Sequence, residues 1–405
     1  MSELKKHDLL SAEVAADPYP YYARLRSEDP VHWHEAGHVW LLTRYQDVLD
    51  ALRDPRLSAK WIQSFMGEMA GDVRRKYQPL ERHLSQWLLL SDPPEHTRRR
   101  GPANRAFEKN VVEGLRSRIQ TIVDGLLDKV EARGRMDLIG DFAYPLPTIV
   151  VAGMMGVPAE DHDRFKAWSD DILAFIATDQ PLAERAEQAQ KSLLEQTEYL
   201  ADIFARRKAE PRSDLISILV HSEEHGYELS DEERASICVQ TLLDGHETTT
   251  NLLGNAILAL HDFPDQLPRL QGDPSLIPAA VEEFLRYDGP VQLAVRVAAE
   301  DLELGGRQIR RGQLVWPMLG AANRDPEKFP DPDRLDFDRP ENPHLAFGYG
   351  THFCIGSPVA RLESQIALET LLRRFPDLRL DVGREALEWI GDPMLHGVTS
   401  LPLAF

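Results

Sequence analysis

The sequence predicts a mainly α-helical fold with a small β region, and two observations lead to that prediction. Apolar residues recur with the helical period along most of the 405 residues, and prolines interrupt that period at intervals. A short strand-like stretch, Val-Trp-Leu-Leu, lies at residues 39–42. The hydrophobic content of 42% is enough to bury a large core, and length alone would suggest two or three domains.

The helices follow from local start and stop signals. A first helix is predicted to open in the proline-rich segment at residues 17–20. The longest helix should begin at Ser230, because Ser230 and Glu233 have the spacing of a capping box, and it should run to about His261. Such a helix would be roughly 48 Å long at 1.5 Å per residue. Residues 58–90 are rich in aromatic residues, methionine and leucine and read as irregular.

Composition excludes several classes of function. The two cysteines, Cys238 and Cys354, are too few for a disulfide framework and suit a reducing compartment. Residues 1–17 are charged and lack the apolar run of a signal peptide or membrane span, so we expect a soluble cytoplasmic protein without a membrane partner. The formal net charge of −20 argues against nucleic acid as a partner.

A glycine-rich loop at residues 347–356, with the sequence FGYGTHFCIG, presents Cys354 directly before a predicted helix. Gly348 and Gly350 allow a tight turn and a close approach to a flat macrocycle. Ser357-Pro358 reads as the N-cap and first residue of the helix, whose dipole lowers the pKa of a nearby thiol. A single thiolate presented in this way is typical of a loop that supplies an axial sulfur to haem iron.

The loop resembles the cysteine loop of the cytochrome P450 family, because the pattern Phe-Gly-x-Gly-x-His-x-Cys-x-Gly is matched at every fixed position from Phe347 to Gly356. The resemblance covers nearly the whole chain and implies one haem-enclosing domain, residues 1–405. It makes Cys354 the ligand of haem b, with Phe347, Gly348 and Gly356 around it. Thiolate ligation favours O–O cleavage. The implied activity is oxygen-dependent monooxygenation of a small organic substrate, such as a natural product of secondary metabolism.

The middle of the long helix resembles the family's distal motif, [Ala/Gly]-Gly-x-[Asp/Glu]-Thr-[Thr/Ser], at residues 244–249 (DGHETT). Cleavage of the O–O bond needs two protons in a site that otherwise excludes water. The resemblance implies that Thr248 holds oxygen and water by hydrogen bonds, while Glu247 leads towards solvent. We therefore predict Thr248 and Glu247 as the catalytic residues.

The chain departs from the family where the motif normally begins with Ala or Gly, since that residue here is Asp244. Asp244 lies four residues before Thr248 and should project from the same face of the helix. Three roles are open: an anchor for a cationic or hydrogen-bond-donating substrate group, a local hydrogen bond that shapes the helix, or a sixth ligand to the iron.

Two further sets of charged residues are implied by the resemblance. Glu283 and Arg286 match the family's Glu-x-x-Arg pair, with Arg339 as the third member and Arg334 as the alternative. Their implied role is to hold the loop that carries the cysteine. The haem propionates are implied to bind four basic residues, because guanidinium and imidazole groups suit carboxylates. These are His96, Arg100, Arg296 and His352.

The substrate pocket is predicted from residues 58–90, the helices around 165–205, residues 291–295 and residues 394–398. The named lining candidates, besides Asp244, are Val291, Leu293, Val295 and Leu395.

Because the resemblance takes up nearly all of these 405 residues, we expect no flavin or iron–sulfur domain, and electrons are predicted to pass from NAD(P)H through a reductase and an acidic ferredoxin. Arg98, Arg99 and Arg361 are the predicted basic docking patch. A peroxide-driven haem enzyme and a non-catalytic haem sensor or carrier remain as alternatives. Neither alternative would need both Glu247 and Thr248.

Overall fold

The computed structural model describes residues 9, 11–158, 161–176 and 183–405. Within them helices predominate, which confirms the predicted mainly α fold with a small β region. The α-helices are α1 (Ala12–Ala16), α2 (Tyr19–Glu28), α3 (Tyr45–Arg53), α4 (Ile62–Gly67), α5 (Gly71–Lys76), α6 (Gln78–Leu84), α7 (Glu95–Asn104), α8 (Lys109–Glu113), α9 (Arg116–Glu131), α10 (Pro145–Met155), α11 (His162–Ile176), α12 (Ala183–Ala209), α13 (Leu215–Val220), α14 (Asp231–Asp262), α15 (Gln266–Gly272), α16 (Ile277–Asp288), α17 (Leu319–Asn323) and α18 (Ser357–Arg374).

The strands are short and form three sheets. They are β1 (Val31–His34), β2 (Val39–Leu42), β3 (Leu57–Ser58), β4 (Arg135–Asp137), β5 (Arg296–Ala298), β6 (Leu302–Leu304), β7 (Arg307–Ile309), β8 (Leu314–Pro317), β9 (Arg379–Leu380) and β10 (Pro402–Ala404). The largest sheet has the order β1-β2-β8-β5-β3, in which β2 pairs in parallel with β8 and antiparallel with β1. The strand predicted at residues 39–42 is therefore confirmed as β2.

The chain forms two compact units. The first comprises the chain up to residue 57 together with residues 113–147 and 247–405, and it contains the cysteine loop, α16 and α18. Its core packs the sheet against α2 and α3 through buried aliphatic and aromatic side chains such as Leu25, Leu42 and Val315. The second unit comprises residues 58–112 and 148–246 and is built from helices such as α7 and α12.

The long helix α14 begins as the sequence predicts. Ser230 Oγ accepts a hydrogen bond from the Glu233 N–H at 3.1 Å, and the Glu233 carboxylate accepts one from the Ser230 N–H at 3.0 Å. This reciprocal pair satisfies two N–H groups at the start of the helix, so the predicted capping box is confirmed. The helix then runs without interruption to Asp262, one residue beyond the predicted end.

Two local predictions were wrong. Residues 58–90, expected to be irregular, contain α4, α5 and α6 and a 3₁₀ turn at Leu88–Leu90. The N-cap of α18 is Gly356 rather than Ser357, and Ser357 is already the first helical residue. Gly356 has right-handed helical dihedral angles (φ −78°, ψ −4°), so the chain enters the helix one residue earlier than the side-chain pattern indicates.

Candidate active site

The cysteine loop is a tight turn that depends on two glycines. Gly348 and Gly350 have φ values of +69° and +71°, in the left-handed region that other residues rarely adopt. A short 3₁₀ turn follows at Gly350–His352, and the Cys354 N–H donates to the Phe347 carbonyl at 2.9 Å. The backbone therefore closes across the loop and holds Cys354 two residues before the N-cap of α18.

Cys354 is partly exposed, and the space beside its sulfur is shaped by Gly356. A Cβ at Gly356 would stand 3.9 Å from Cys354 Sγ, which is ordinary van der Waals contact. The missing side chain thus leaves a shallow recess next to the sulfur, into which a flat group could fit.

Residues of α16 and the segment before the loop form a buried ionic cluster. Arg286 donates to both oxygens of Glu283, at 2.8 and 2.7 Å, and Arg339 Nε lies 3.3 Å from each of the same oxygens. The remaining Arg286 donors bind backbone carbonyls, including those of Pro332 and Arg334. Arg339 therefore brings its side chain to the pair, while Arg334 contributes only its carbonyl oxygen. Because the Glu283 carboxylate is shared by two guanidiniums and these groups are hydrogen-bonded, a cluster that would be costly if broken instead fixes the chain before the loop.

Phe347 is held from one side by a second ion pair. The Arg361 guanidinium lies 4.4 Å from the centre of the Phe347 ring and donates to Glu282 at 2.7 and 2.8 Å. His344 Nε2 lies 3.1 Å from the same carboxylate. Burial works to raise the pKa of Glu282, but the Arg361 and His344 hydrogen bonds outweigh it and bring the pKa to about 2.

The arginines predicted as a docking patch are engaged within the protein. Arg98 and Arg99 both bind the carboxylate of Glu233, Arg99 through Nε at 2.9 Å, and Arg361 binds Glu282 as described. Arg98 and Arg99 share one carboxylate and Arg361 pairs with another, so all three arginines take part in ion pairs within the protein, and their docking role stays a prediction. The pairing could not be seen from sequence because Glu233 lies more than 130 positions along the chain from Arg98.

The second unit places Asp244 in a short hydrogen-bonded chain. The Leu88 N–H donates to Gln240 Oε1 at 2.6 Å, and Gln240 Nε2 donates to Asp244 Oδ2 at 2.8 Å. Burial raises the pKa of the Asp244 carboxyl to about 6, and the Gln240 hydrogen bond opposes that rise. Sequence reasoning missed Gln240, although a Gln and an Asp at i and i+4 of a helix are a recognisable pair.

Gly245 has a packing role in α14. A Cβ at Gly245 would meet Val151 Cγ2 of α10 at 2.9 Å, closer than carbon atoms can approach. The glycine thus allows two helices of the second unit to touch. It leaves α14 regular, because the helix continues through this position without a break.

The predicted catalytic pair lies one turn further along α14. Glu247 and Thr248 are half-buried, whereas Thr249 and Thr250 are fully buried. The Thr250 hydroxyl donates to the carbonyl of Ala143 at 3.1 Å and so serves packing. Of the three threonines, Thr248 is the one with its side chain partly accessible.

The predicted propionate partners are found in both units. In the first, Arg296 is buried on β5 and donates to the carbonyl of Val295 at 2.8 Å, and His352 is half-buried in the cysteine loop. In the second, His96 is buried on α7, where burial and then the charge of Arg100 lower its pKa to about 4. His96 is therefore neutral at physiological pH and can donate or accept a hydrogen bond.

The substrate-pocket candidates of the first unit differ in how deeply they are buried. Val291 and Leu395 face each other across an isolated antiparallel bridge, and both are half-buried, as is Val295. Leu293 is 2% exposed and packs in the hydrophobic core with Tyr21. The structure thus brings Val291 and Leu395 together and places Leu293 in the core.

The first unit suits a haem, since Cys354 lies beside the recess at Gly356 and the buried Arg296 offers a guanidinium for a carboxylate of an iron macrocycle. Among the described residues, no helix is long and apolar enough to cross a membrane.

Comparison with known proteins identifies the family. The family model for cytochrome P450 matches residues 33–381. The chain is 42% identical to cytochrome P450 107B1 of Saccharopolyspora erythraea, with 98% of this chain and 97% of the relative covered. It is 43% identical to the cytochrome P450 monooxygenase PikC of Streptomyces venezuelae, with 97% and 92% covered. The crystal structure of CalO2 superposes with a TM-score of 0.91 at 36% identity and covers 98% of each chain. The chain therefore belongs to the cytochrome P450 family of haem monooxygenases.

Proposed function

We propose that this monooxygenase oxidises, most simply by hydroxylation, a small natural-product-like substrate with electrons that come from NAD(P)H through a ferredoxin reductase and a ferredoxin. The observation that carries the proposal is the loop at residues 347–356, which presents one partly exposed cysteine in a glycine-lined recess. Relatives support the substrate class, since their names include a vitamin D(3) 25-hydroxylase of Pseudonocardia autotrophica and the polyketide biosynthesis cytochrome P450 PksS of Bacillus subtilis.

Haem, bound through its iron, supplies the activation of O2. Cys354 is the residue that would hold the iron, as a thiolate stabilised by the start of α18. The cluster of Glu283, Arg286 and Arg339 keeps the preceding chain in place, so the cysteine is preorganised. The proposed partners of the propionates are Arg296 and His352 in the first unit and His96 and Arg100 in the second.

Thr248 and Glu247 are proposed to move protons. A threonine hydroxyl can accept a proton from one side and donate one on the other, which suits a relay group at a half-buried position. Glu247 is the adjacent acid that could resupply the proton from solvent. Val291 and Leu395 are proposed to form an apolar wall of the substrate pocket.

Reconstituted turnover tests the proposal. The purified holoenzyme is incubated with a surrogate ferredoxin, its reductase and NADPH, or with hydrogen peroxide alone, and substrate oxidation is measured by mass spectrometry. Product that requires the redox proteins, with ¹⁸O from labelled O2 incorporated, supports the proposal. Turnover with peroxide but none with the redox proteins identifies a peroxide-driven enzyme, and haem binding without product under either condition identifies a sensor or carrier.

A further inference from the structure

The carboxylate of Asp244 occupies an unusual position for a charged group. It projects from the middle of α14, where its helix neighbours Leu242, Leu243 and His246 are buried and Asp244 itself is half-buried. Thr248 lies one turn away on the same helix and therefore on the same face. The acid therefore lies one helical turn from the predicted proton-transfer residue.

Gln240 fixes the orientation of this carboxylate. A backbone N–H can only donate, so the Leu88 N–H at 2.6 Å forces the Gln240 oxygen towards itself. The amide nitrogen of Gln240 must then face Asp244, which it meets at 2.8 Å. The amide cannot rotate without losing both bonds. Asp244 therefore always receives this hydrogen bond through Oδ2, and its carboxylate plane is held in one direction.

An apolar side chain is exposed beside this arrangement. Leu89, which directly follows the residue that holds Gln240, is 42% exposed, whereas Leu88 and Leu90 are buried. Leu89 is thus the neighbour in sequence of the residue whose backbone orients the Gln240 amide, and a carboxylate oriented in this way suits a ligand with a positive group.

We propose that Asp244 is the binding site for a protonated amine of the substrate and that Gln240 is the positioning residue that orients it. The ligand class is a secondary or tertiary organic amine carried on an apolar scaffold. The ammonium N–H donates to the carboxylate and forms a charge-assisted hydrogen bond at a half-buried position, where such a bond is stronger than in water. This inference rests on the proposed function, because it places the amine in the substrate pocket of the monooxygenase.

The experiment uses two probes that differ in one atom. N,N-dimethyl-4-phenylbutylamine is protonated at neutral pH, and its neutral isostere has CH in place of the nitrogen. Their affinities for the holoenzyme are measured by calorimetry, and the absorption spectrum is recorded in parallel. The variants are Asp244→Asn, Gln240→Leu and a control, Gln188→Leu. The control removes a 2.9 Å glutamine-to-aspartate hydrogen bond elsewhere in the same unit.

The expected result is a preference of the original protein for the amine over its isostere that Asp244→Asn reduces by roughly 10- to 100-fold, the range for a hydrogen bond to a charged group. Affinity for the isostere should not change. Gln240→Leu should reduce the preference by about 3- to 10-fold, as expected for loss of one orienting hydrogen bond. Gln188→Leu should leave it unaltered.

Four outcomes would overturn the inference. If Asp244→Asn prefers the amine over its isostere as strongly as the original protein does, the amine site is rejected. If Gln240→Leu does so, the positioning role is rejected. A red-shifted Soret band with the amine in every variant shows binding through the iron. A changed ligand-free ferric spectrum in Asp244→Asn makes Asp244 an iron ligand instead. The carbon monoxide spectrum of each reduced variant reports the thiolate separately, so loss of the amine preference with that spectrum retained leaves the monooxygenase assignment standing.

Discussion

The two thiols of the chain have opposite surroundings. Cys354 is partly exposed in the glycine loop, whereas Cys238 is fully buried in α14, where burial raises the pKa of the thiol well above its usual value. We expect Cys354→Ala to abolish the red-shifted absorption of the reduced carbon monoxide complex, because only a thiolate donates enough electron density. Cys238→Ala should keep that absorption. A band that survives in Cys354→Ala would assign the ligand to another residue.

The threonines of α14 allow a second prediction at the scale of single residues. Thr248→Ala should leave haem binding intact and divert NADPH consumption to hydrogen peroxide, because loss of a positioned proton-transfer group commonly slows the productive step by about 10²-fold or more. Thr250→Val is the matched control, since its hydroxyl binds only the carbonyl of Ala143 among the contacts described for it. The measurement is product and peroxide formed per NADPH. Unchanged product yield in Thr248→Ala would remove this role.

At the scale of elements, the glycines of the cysteine loop should respond differently to the same substitution. Gly350→Ala places a side chain at a φ of +71° and should destabilise the haem-free protein by about 1–2 kcal/mol in urea unfolding. Gly356→Ala adds a methyl group at a φ of −78°, so it should lower the free energy of unfolding of the haem-free protein much less. Its methyl would stand beside the sulfur, so its effect should appear in the haem spectrum. Equal destabilisation by the two substitutions would contradict this account.

A carboxylate at the start of α14 should make the free energy of unfolding depend on pH. Burial works to raise the pKa of Glu233, but hydrogen bonds from Arg98, Arg99 and Ser230 outweigh it and bring the pKa to about 2. The pKa of Glu233 in the folded protein lies below the usual value near 4.5. The ionised carboxylate therefore stabilises the folded protein fully above about pH 4.5, and this stabilisation is lost as pH falls towards 2. Allowing for the exposure of Arg98, we expect it to reach about 2 kcal/mol.

Urea unfolding between pH 2 and 7 measures this contribution. The free energy of unfolding should decline less steeply below pH 4.5 in Glu233→Gln than in the original protein, since the amide does not titrate. Parallel curves would show that Glu233 contributes nothing to the acid response.

Elements with strong local signals could be predicted from sequence, and those set by distant contacts could not. The capping box of Ser230 and Glu233 is a contact between residues three positions apart, so the pattern alone locates it. The helices α4, α5 and α6 are only six or seven residues long, too short for a helical period to emerge. The ion pairs of Arg98 and Arg361 join residues 135 and 79 positions apart, so sequence could not show that these arginines are paired.

At the scale of the whole molecule, net charge should govern the encounter with a redox partner. The chain carries a formal net charge of −20, and the arginines considered for docking are paired. Repulsion of an acidic ferredoxin should therefore dominate at long range. Raising the ionic strength from about 0.01 to 0.15 M shortens the screening distance from roughly 30 to 8 Å. We expect the rate of reduction by ferredoxin, measured by stopped flow, to rise with salt. A rate that falls would reveal a local basic surface elsewhere.

The cluster of Glu283, Arg286 and Arg339 has a consequence for the order in which the enzyme matures. The hydrogen-bond partners described for it belong to the protein and include the carbonyls of Asn323, Pro332 and Arg334. None of those contacts requires haem, so this region can reach its final form on the nascent protein before cofactor insertion. Limited proteolysis of the haem-free enzyme should consequently spare residues 283–339 while it cuts elsewhere. Haem would then be inserted into a protein in which the segment before the cysteine loop has already folded.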